Sequence, residues 1–255
     1  MIDLKKAENE FIKYTENYDL ENSNIDRKQK HSIRVKNISI EIAKSLNLKQ
    51  EEIELAALIG LLHDIGRFEQ YTKNKTYNDL ESFDHGDYGT EILQKDIRKY
   101  IDIDKYDNII LKAVKNHNKF KMEDELNEKE KLFCKIIRDA DKLDIIFEAC
   151  KIFWNGDEKE IEQSKIDQKL YEQFLKEKQI KRDKNISKDK INNVVNIISF
   201  IFDINFKKSF EIIKQEDYFS KIFQRFDFEN EETKEKILEI QKVAQKYIKK
   251  KLGEN

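Results

Sequence analysis

The residues of this sequence that are best suited to chemistry are its four histidines, each on an apolar stripe of a different predicted helix. They are His31, His63, His85 and His117. Asp141 lies between Ile137 and Ile145, four residues from each, so its carboxylate is also expected to point inward. A buried carboxylate is costly unless it is paired or bound to a metal. Neutral imidazoles combined with one or two carboxylates form a typical site for a divalent transition metal.

Each of these residues also has a purely structural interpretation. A single histidine on an apolar face is more often a hydrogen-bonded core residue, and Asp141 could pair with Arg138 or Lys142. The adjacent His63 and Asp64 could simply cap a helix. The joint pattern favours the metal, because every histidine and one aspartate lie on inward faces of separate helices. The negative end of a helix dipole next to His63 and Asp64 also favours a cation.

The elements that must position these residues are predicted to be helices. The sequence has no proline and only six glycines in 255 residues, which permits helix throughout and disfavours a turn-rich β fold. Apolar periodicity predicts helices over about 3–18, 26–46, 50–63, 86–96, 105–117, 128–150, 168–180, 188–214 and 231–251. The segment LAALIGLL is apolar all round, which is typical of a central buried helix, and Gly66 is expected to end it.

The predicted fold class is all-α, a helical bundle formed by one domain over residues 1–255. Polar breaks occur at 73–79, 155–160 and 181–190, and the last two could mark a domain boundary. Beyond them, a set of phenylalanines needs a core to pack against: Phe200, Phe202, Phe206 and Phe210. We therefore favour a single continuous domain.

Charge and cysteine content limit the classes of binding partner and the cellular compartment that we expect. The net charge of −2 provides no global basic field for nucleic-acid binding. Cys134 and Cys150 match no zinc or redox spacing and are expected to be reduced thiols in a helix. The first residues do not resemble a signal peptide, and no apolar run approaches the roughly 18 residues that span a membrane. A cytoplasmic protein without a membrane partner is therefore expected.

Three segments of the chain form an ordered pattern: His31, then LLHDIGR at 61–67, then RDADKLD at 138–144. This pattern, H…HD…D, resembles that of the HD-domain superfamily of metal-dependent phosphohydrolases, which are helical bundles. The resemblance covers about residues 26–150, and helices over about 160–252 would complete or extend the bundle.

The resemblance implies that one metal is held by four residues: His31, His63, Asp64 and Asp141. Asp141 is preferred over Asp139 because it matches the family's alanine-aspartate-basic pattern and lies on the apolar stripe. Asp139 or Asp144 would then support the ligands by hydrogen bonds.

Two further histidines extend the pattern to H…HD…H…H…D, which resembles the two-metal branch of the superfamily. In that branch the HD aspartate bridges both ions, so Asp64 would hold the second ion with His85 and His117. A one-metal version remains open, in which these two histidines contact a substrate phosphate. The resemblance implies divalent transition metals and leaves Fe, Mn, Ni and Co open.

The implied activity is hydrolysis of a phosphate ester, by a phosphomonoesterase or phosphodiesterase acting on a nucleotide or another small phosphorylated metabolite. The expected catalytic residues are Asp64, Arg67 and Lys142. Arg67 follows HDIG, where a related branch has lysine, and a guanidinium matches phosphate oxygens bidentately. Arg67 could instead cap a helix, and Lys142 could pair with Asp141. The GYP tripeptide of the cyclic-dinucleotide branch is absent, which disfavours cyclic di-GMP as the substrate.

Two other functions remain open. Superfamily members with the same six ligands include mixed-valent di-iron oxygenases, and a non-catalytic nucleotide-binding regulatory module is also conceivable. The C-terminal helices could complete the bundle, narrow a pocket or form a homodimer face. The segment between Gly66 and His85 is expected to be a loop that could close over a substrate.

Overall fold

The computed structural model describes residues 2–154, 156–181 and 189–254, and most of these residues are helical. No β-strand occurs in these ranges, which confirms the predicted all-α class. The chain divides into two compact units, Met1–Asp141 and Lys142–Asn255. The single domain over 1–255 stays a prediction. Most of the polar break at 181–190, and the start of the helix predicted over 188–214, lie outside the described residues.

The first unit contains six complete helices and the first part of a seventh. They are α1 (Leu4–Thr15), α2 (Ser23–Ser45), α3 (Gln50–Leu62), α4 (Ile65–Asn74), α5 (His85–Asp96), α6 (Asp107–Asn116) and α7 (Glu128–Lys151), with a 3₁₀ turn at Ile97–Lys99. Six of the predicted helices correspond to α1, α2, α3, α5, α6 and α7 to within a few residues.

Helix α3 is the centre of the first unit, as its apolar sequence predicts. All of its residues from Glu54 to Leu62 are buried. It packs against α2 at Gly60, where an added Cβ would lie 2.9 Å from the Cα of Lys36 and 2.7 Å from Ser39 Oγ. Only glycine permits this approach of the two backbones. The approach brings the end of α3, and with it His63, next to the middle of α2.

The expectation of a loop between Gly66 and His85 is wrong over its first half, which forms α4. Gly66 does not end α3 but is the second residue of α4. A Cβ at this position would lie 2.5 Å from the carbonyl oxygen of His85 and 2.9 Å from the nitrogen of Gly89. The glycine therefore allows α4 to pack closely against α5. In the sequence alone, a glycine required for such packing cannot be distinguished from one that ends a helix. Phe68 is buried in the core and packs edge-on against Phe11.

The second unit continues α7 and adds further helices along the chain. They are α8 (Glu158–Gln163), α9 (Gln168–Leu175), α10 (Lys190–Ile198), α11 (Lys207–Gln215), α12 (Tyr218–Phe223) and α13 (Glu231–Leu252), with a 3₁₀ segment at Ser199–Asp203. Helices α8 and α12 had no counterpart in the prediction. Cys134 and Cys150 are free, buried thiols in α7, as expected.

The long helix predicted over 188–214 is interrupted by extended backbone at Ile204 and Phe206. The interruption lets both Phe202 and Phe210 contact the ring of Tyr247, with centroids at 4.9 Å and 6.1 Å. On a continuous helix, these two phenylalanines would be about 12 Å apart along the axis. Aromatic packing in the core therefore overrides the helical periodicity of the sequence.

No helix among the described residues combines the length and the apolar character that crossing a bilayer requires.

The contact at Gly66 predicts a stability effect. Alanine favours a helix by about 1 kcal/mol over glycine, but its Cβ would collide with backbone atoms of α5. We expect Gly66→Ala to lower the free energy of unfolding by about 1–3 kcal/mol, measured by urea denaturation. Lys95→Ala, at an exposed position of α5, is the control and should leave the midpoint unchanged. A Gly66→Ala midpoint at or above that of the wild type would contradict the close contact.

Candidate metal centre

Two of the histidines, His63 and His117, are oriented in the same way at the ends of helices. His63 is the C-cap of α3 and His117 the C-cap of α6. Each donates from Nδ1 to a carbonyl three residues earlier, His63 to Gly60 at 2.8 Å and His117 to Val114 at 2.6 Å. These carbonyls lack helical partners at a C-terminus, so the imidazoles satisfy them. With Nδ1 carrying the proton, Nε2 of each ring keeps a lone pair that faces the centre.

The other two histidines reach the centre from α2 and α5. His31 lies within α2 and is fully buried on the face that also carries Val35 and Ile42. His85 is the first residue of α5, directly after the N-cap Asp84, whose side chain accepts from the backbone nitrogens of Gly86 and Asp87. The Asp84 cap fixes the start of α5 and therefore the position of His85.

Asp64 lies at the junction of α3 and α4, in the N-cap position of α4. An aspartate at this position usually caps the helix, but Asp64 makes no side-chain capping bond in the described structure. Its two oxygens face different pairs of histidines. Oδ1 is 3.3 Å from His85 Nε2 and 3.4 Å from His117 Nε2. Oδ2 is 3.4 Å from His31 Nε2 and 3.6 Å from His63 Nε2.

Asp141 in α7 lies beside the pair formed by His31 and His63. Its Oδ1 lies 3.1 Å from His31 Nε2 and 3.5 Å from His63 Nε2. The side chain is 14% exposed, so the carboxylate lies at the edge of the buried cluster. The structure therefore brings together all six residues that the sequence proposed as ligands.

The spacing of these atoms suits metal coordination. The Nε2 atoms of His31 and His63 are 3.2 Å apart, and those of His85 and His117 are 2.9 Å apart. Ligands bound about 2.0–2.2 Å from one ion lie roughly 2.8–3.6 Å from one another in octahedral or tetrahedral geometry. Two overlapping sets have this spacing and share Asp64: one with His31, His63 and Asp141, and one with His85 and His117.

The tautomers of the second set favour a cation. His117 Nδ1 donates to Val114 and His85 Nδ1 to the carboxylate of Asp79, so a neutral ring at either position has its lone pair on Nε2. Burial lowers the pKa of the His117 imidazole to about 4, so this ring is neutral near pH 7. A divalent cation between the two Nε2 atoms, which are 2.9 Å apart, would accept the lone pairs of two neutral rings beside Asp64 Oδ1. The donor set therefore fits a divalent metal.

The carboxylates of the centre are held in their charged form. Burial alone would raise the pKa of Asp64, but the positive charge of Lys28 outweighs it and, with the neighbouring histidines, holds that pKa well below the usual range. Burial is likewise outweighed at Asp141, where side-chain interactions with His31 and His63 lower the pKa. Charged carboxylates and neutral imidazoles are the protonation states in which these side chains bind metal.

Asp79 is a functional residue that the sequence reasoning missed. Both of its oxygens lie within 2.9 Å of His85 Nδ1, and it also accepts from Arg67, Gln70 and Asn118. A carboxylate behind a metal-binding histidine fixes the tautomer and raises the basicity of the ring. The available signal was an acidic residue six positions before His85, in a segment interpreted as a mobile loop.

The remaining predicted residues lie in two places. Arg67 is in α4, with Nε 3.5 Å from Asp64 Oδ1. Lys142 begins the second unit, and its ammonium is 2.9 Å from Asp203 Oδ2. Asp139 and Asp144 are buried, and their proposed support of the ligands stays a prediction, as does the catalytic role of Lys142.

The contact between Asp79 and His85 predicts a change in metal affinity. Asp79→Asn keeps the shape but removes the charge behind the imidazole, so we expect manganese affinity to fall by about 10–100-fold. Calorimetric titration of the metal-free protein measures this. The matched control is Asp124→Asn, whose side chain is 81% exposed. Unchanged affinity in Asp79→Asn would show that Asp79 does not support a metal ligand.

The comparisons with known proteins agree with this geometry. Residues 29–146 match the family model of the HD domain, a segment that contains all six residues of the centre. No curated protein and no solved structure shows a significant similarity to the chain. HD domains are all-α and bind divalent metals, in keeping with the helices and the histidine–aspartate clusters described above. Residues 29–146 of this protein are therefore similar to the HD domain, and the helical fold and the histidine–aspartate cluster fit that family.

Proposed function

We propose that this protein is a two-metal phosphohydrolase of the cytoplasm, which cleaves a phosphate ester of a nucleotide or another small phosphorylated metabolite. The observation that carries the proposal is the orientation of Asp64, whose two oxygens face two different pairs of imidazole nitrogens at 3.3–3.6 Å. A carboxylate in this arrangement is suited to bridging two cations, and it makes a one-metal centre with two substrate-binding histidines the weaker alternative.

Bound divalent metals would supply Lewis acidity and a lowered pKa of water, and a pair of them can stabilise both oxygens of a displacement at phosphorus. The chain's own contribution is to orient the ligands in advance. The carbonyls of Gly60 and Val114 and the carboxylate of Asp79 fix three imidazoles. Their hydrogen bonds keep the ring nitrogens aimed at the centre, so little reorganisation is needed when metal binds.

Arg67 is our candidate for neutralising the charge of the phosphate. Its Nη1 is held by Gln70 Oε1, the Tyr77 carbonyl and Asp79 Oδ1 at 2.6–3.0 Å. Its Nε is buried and makes no hydrogen bond to any described residue. An unsatisfied buried donor is costly, and a phosphate oxygen would satisfy it. Lys142 is a second candidate for neutralising phosphate charge, and its ammonium lies 2.9 Å from Asp203 Oδ2.

Metal content tests the two-ion assignment. We expect about two ions per chain in gently purified wild type and about one in both His85→Ala and Asp141→Ala, because each substitution removes a ligand of only one set. Mass spectrometry of the metals provides the count. Asp124→Ala, at an exposed aspartate, is the control. One ion in the wild type, lost in Asp141→Ala and kept in His85→Ala, would favour the one-metal version.

Activity tests the reaction class. We expect manganese-dependent release of phosphate from at least one member of a nucleotide and sugar-phosphate panel. Arg67→Met should lower kcat/KM by about 10–100-fold, since a charge-assisted hydrogen bond to phosphate is lost. Arg98→Met, at an arginine whose side chain is 43% exposed, should retain the wild-type value.

Two results would contradict this proposal. Oxygen consumption by an iron-loaded sample that releases no phosphate would favour the oxygenase. A nucleotide bound without turnover under any metal would favour a regulatory binding module.

A further inference from the structure

A cluster of three cationic side chains surrounds one aromatic ring beside the metal centre. Arg27, Lys28 and Arg67 each place their charged group 5.5–5.6 Å from the centroid of Tyr77. We call these four residues the cation cluster. Three positive charges around one ring repel one another, so such an arrangement requires compensating negative charge nearby.

Lys28 connects the cation cluster to the metal centre. It lies in α2 three residues before His31, so both side chains emerge from one face of the helix. Its ammonium is 2.8 Å from Asp64 Oδ2, the oxygen that also faces His31 and His63. Lys28 is buried, and a buried ammonium requires a partner of opposite charge.

Tyr77 holds the cluster in place. Its hydroxyl donates to the backbone carbonyl of Asn24 at 2.9 Å, which attaches the ring to the start of α2. Its ring also contacts that of Tyr71, at a centroid distance of 4.8 Å. Its own carbonyl accepts from Arg67 Nη1. The ring therefore fixes the positions of cations from two different helices before any ligand binds, which reduces the entropic cost of binding.

Two of the cations have a hydrogen-bonding requirement that an anion would meet. Arg67 Nε is a buried donor that lies 3.5 Å from Asp64 Oδ1 and forms no hydrogen bond within the described residues. Lys28 has Asp64 as its partner, but a divalent cation among the histidines competes with Lys28 for the same carboxylate. An incoming anion would give both donors an acceptor.

We propose that the cation cluster is a second anion subsite beside Asp64, in which Lys28 binds a phosphoryl group adjacent to the one that is cleaved and Arg67 contacts both groups. The substrate class would then be a metabolite with at least two linked phosphates, such as a nucleoside diphosphate or triphosphate. The identity of the cleaved group rests on the proposed function, whereas the subsite rests only on the geometry of Lys28, Arg67 and Tyr77. Lys28 is assigned here as a substrate-binding residue.

Calorimetric binding of inorganic anions tests the subsite without turnover. At a fixed free manganese concentration, we expect the wild type to bind pyrophosphate at least about tenfold more tightly than orthophosphate, because only pyrophosphate reaches both positions. Lys28→Met should weaken pyrophosphate binding by about 10–100-fold and orthophosphate binding much less. Lys28→Arg keeps the charge and should restore most of the preference.

The controls separate this subsite from general effects. Lys30→Met removes a charge two residues away, at a side chain that is 62% exposed and paired with Asp26, and should keep the wild-type preference. If Lys28→Met does not fold, Arg27→Met tests the same cluster and should reduce the preference in the same direction. Circular dichroism identifies variants that are unfolded.

The outcomes distinguish the subsite from the reaction. Equal affinity for the two anions in the wild type, or an unchanged preference in a folded Lys28→Met, would overturn the subsite. A strong pyrophosphate preference that depends on Lys28, in a protein that hydrolyses nothing in the panel, would support the subsite while the proposed hydrolase fails.

Discussion

The organisation of the first unit depends on one buried carboxylate among four imidazoles. Asp64 is almost completely buried, and both of its oxygens lie within 3.6 Å of histidine nitrogens. Two of those nitrogens, the Nε2 atoms of His85 and His117, lie only 2.9 Å apart. Such a cluster of acceptors is unfavourable in a protein interior unless a cation occupies it. The surrounding helices are arranged so that this unfavourable cluster is nevertheless held together.

The arrangement is achieved by short contacts between helix backbones. Gly60 allows α3 to approach α2, which brings His63 to His31, and Gly66 allows α4 to approach α5, which brings Asp64 to His85. Packing of apolar side chains around α3 supplies the stabilising free energy that holds these contacts. Because the ligands come from several separate helices, a distortion of any one contact would change the spacing of the whole centre.

Charge links the centre to its surroundings on two sides. On one side, Asp79 receives hydrogen bonds from His85, Arg67 and Gln70, so that it supports a ligand and fixes a guanidinium at the same time. On the other side, Lys28 contacts Asp64 and the ring of Tyr77. The carboxylates therefore alternate with cations across the site. Under the proposed function, an anionic substrate that enters this arrangement would exchange partners with groups that are already in place, which would limit the cost of desolvation.

The sequence by itself determined the helical class and the centrality of α3, because helical periodicity is a local property. The six residues of the candidate centre were predicted from residue types together with the resemblance to the HD-domain superfamily. The sequence did not predict α4, because the residue type of Gly66 does not show whether the glycine ends a helix or permits a close contact. It interpreted 188–214 as one helix because the contact of Phe202 and Phe210 with Tyr247 is not visible in periodicity. Asp79, Lys28 and Tyr77 were missed for the same reason: their roles depend on distances between segments remote in the chain, and only the tertiary structure sets those distances.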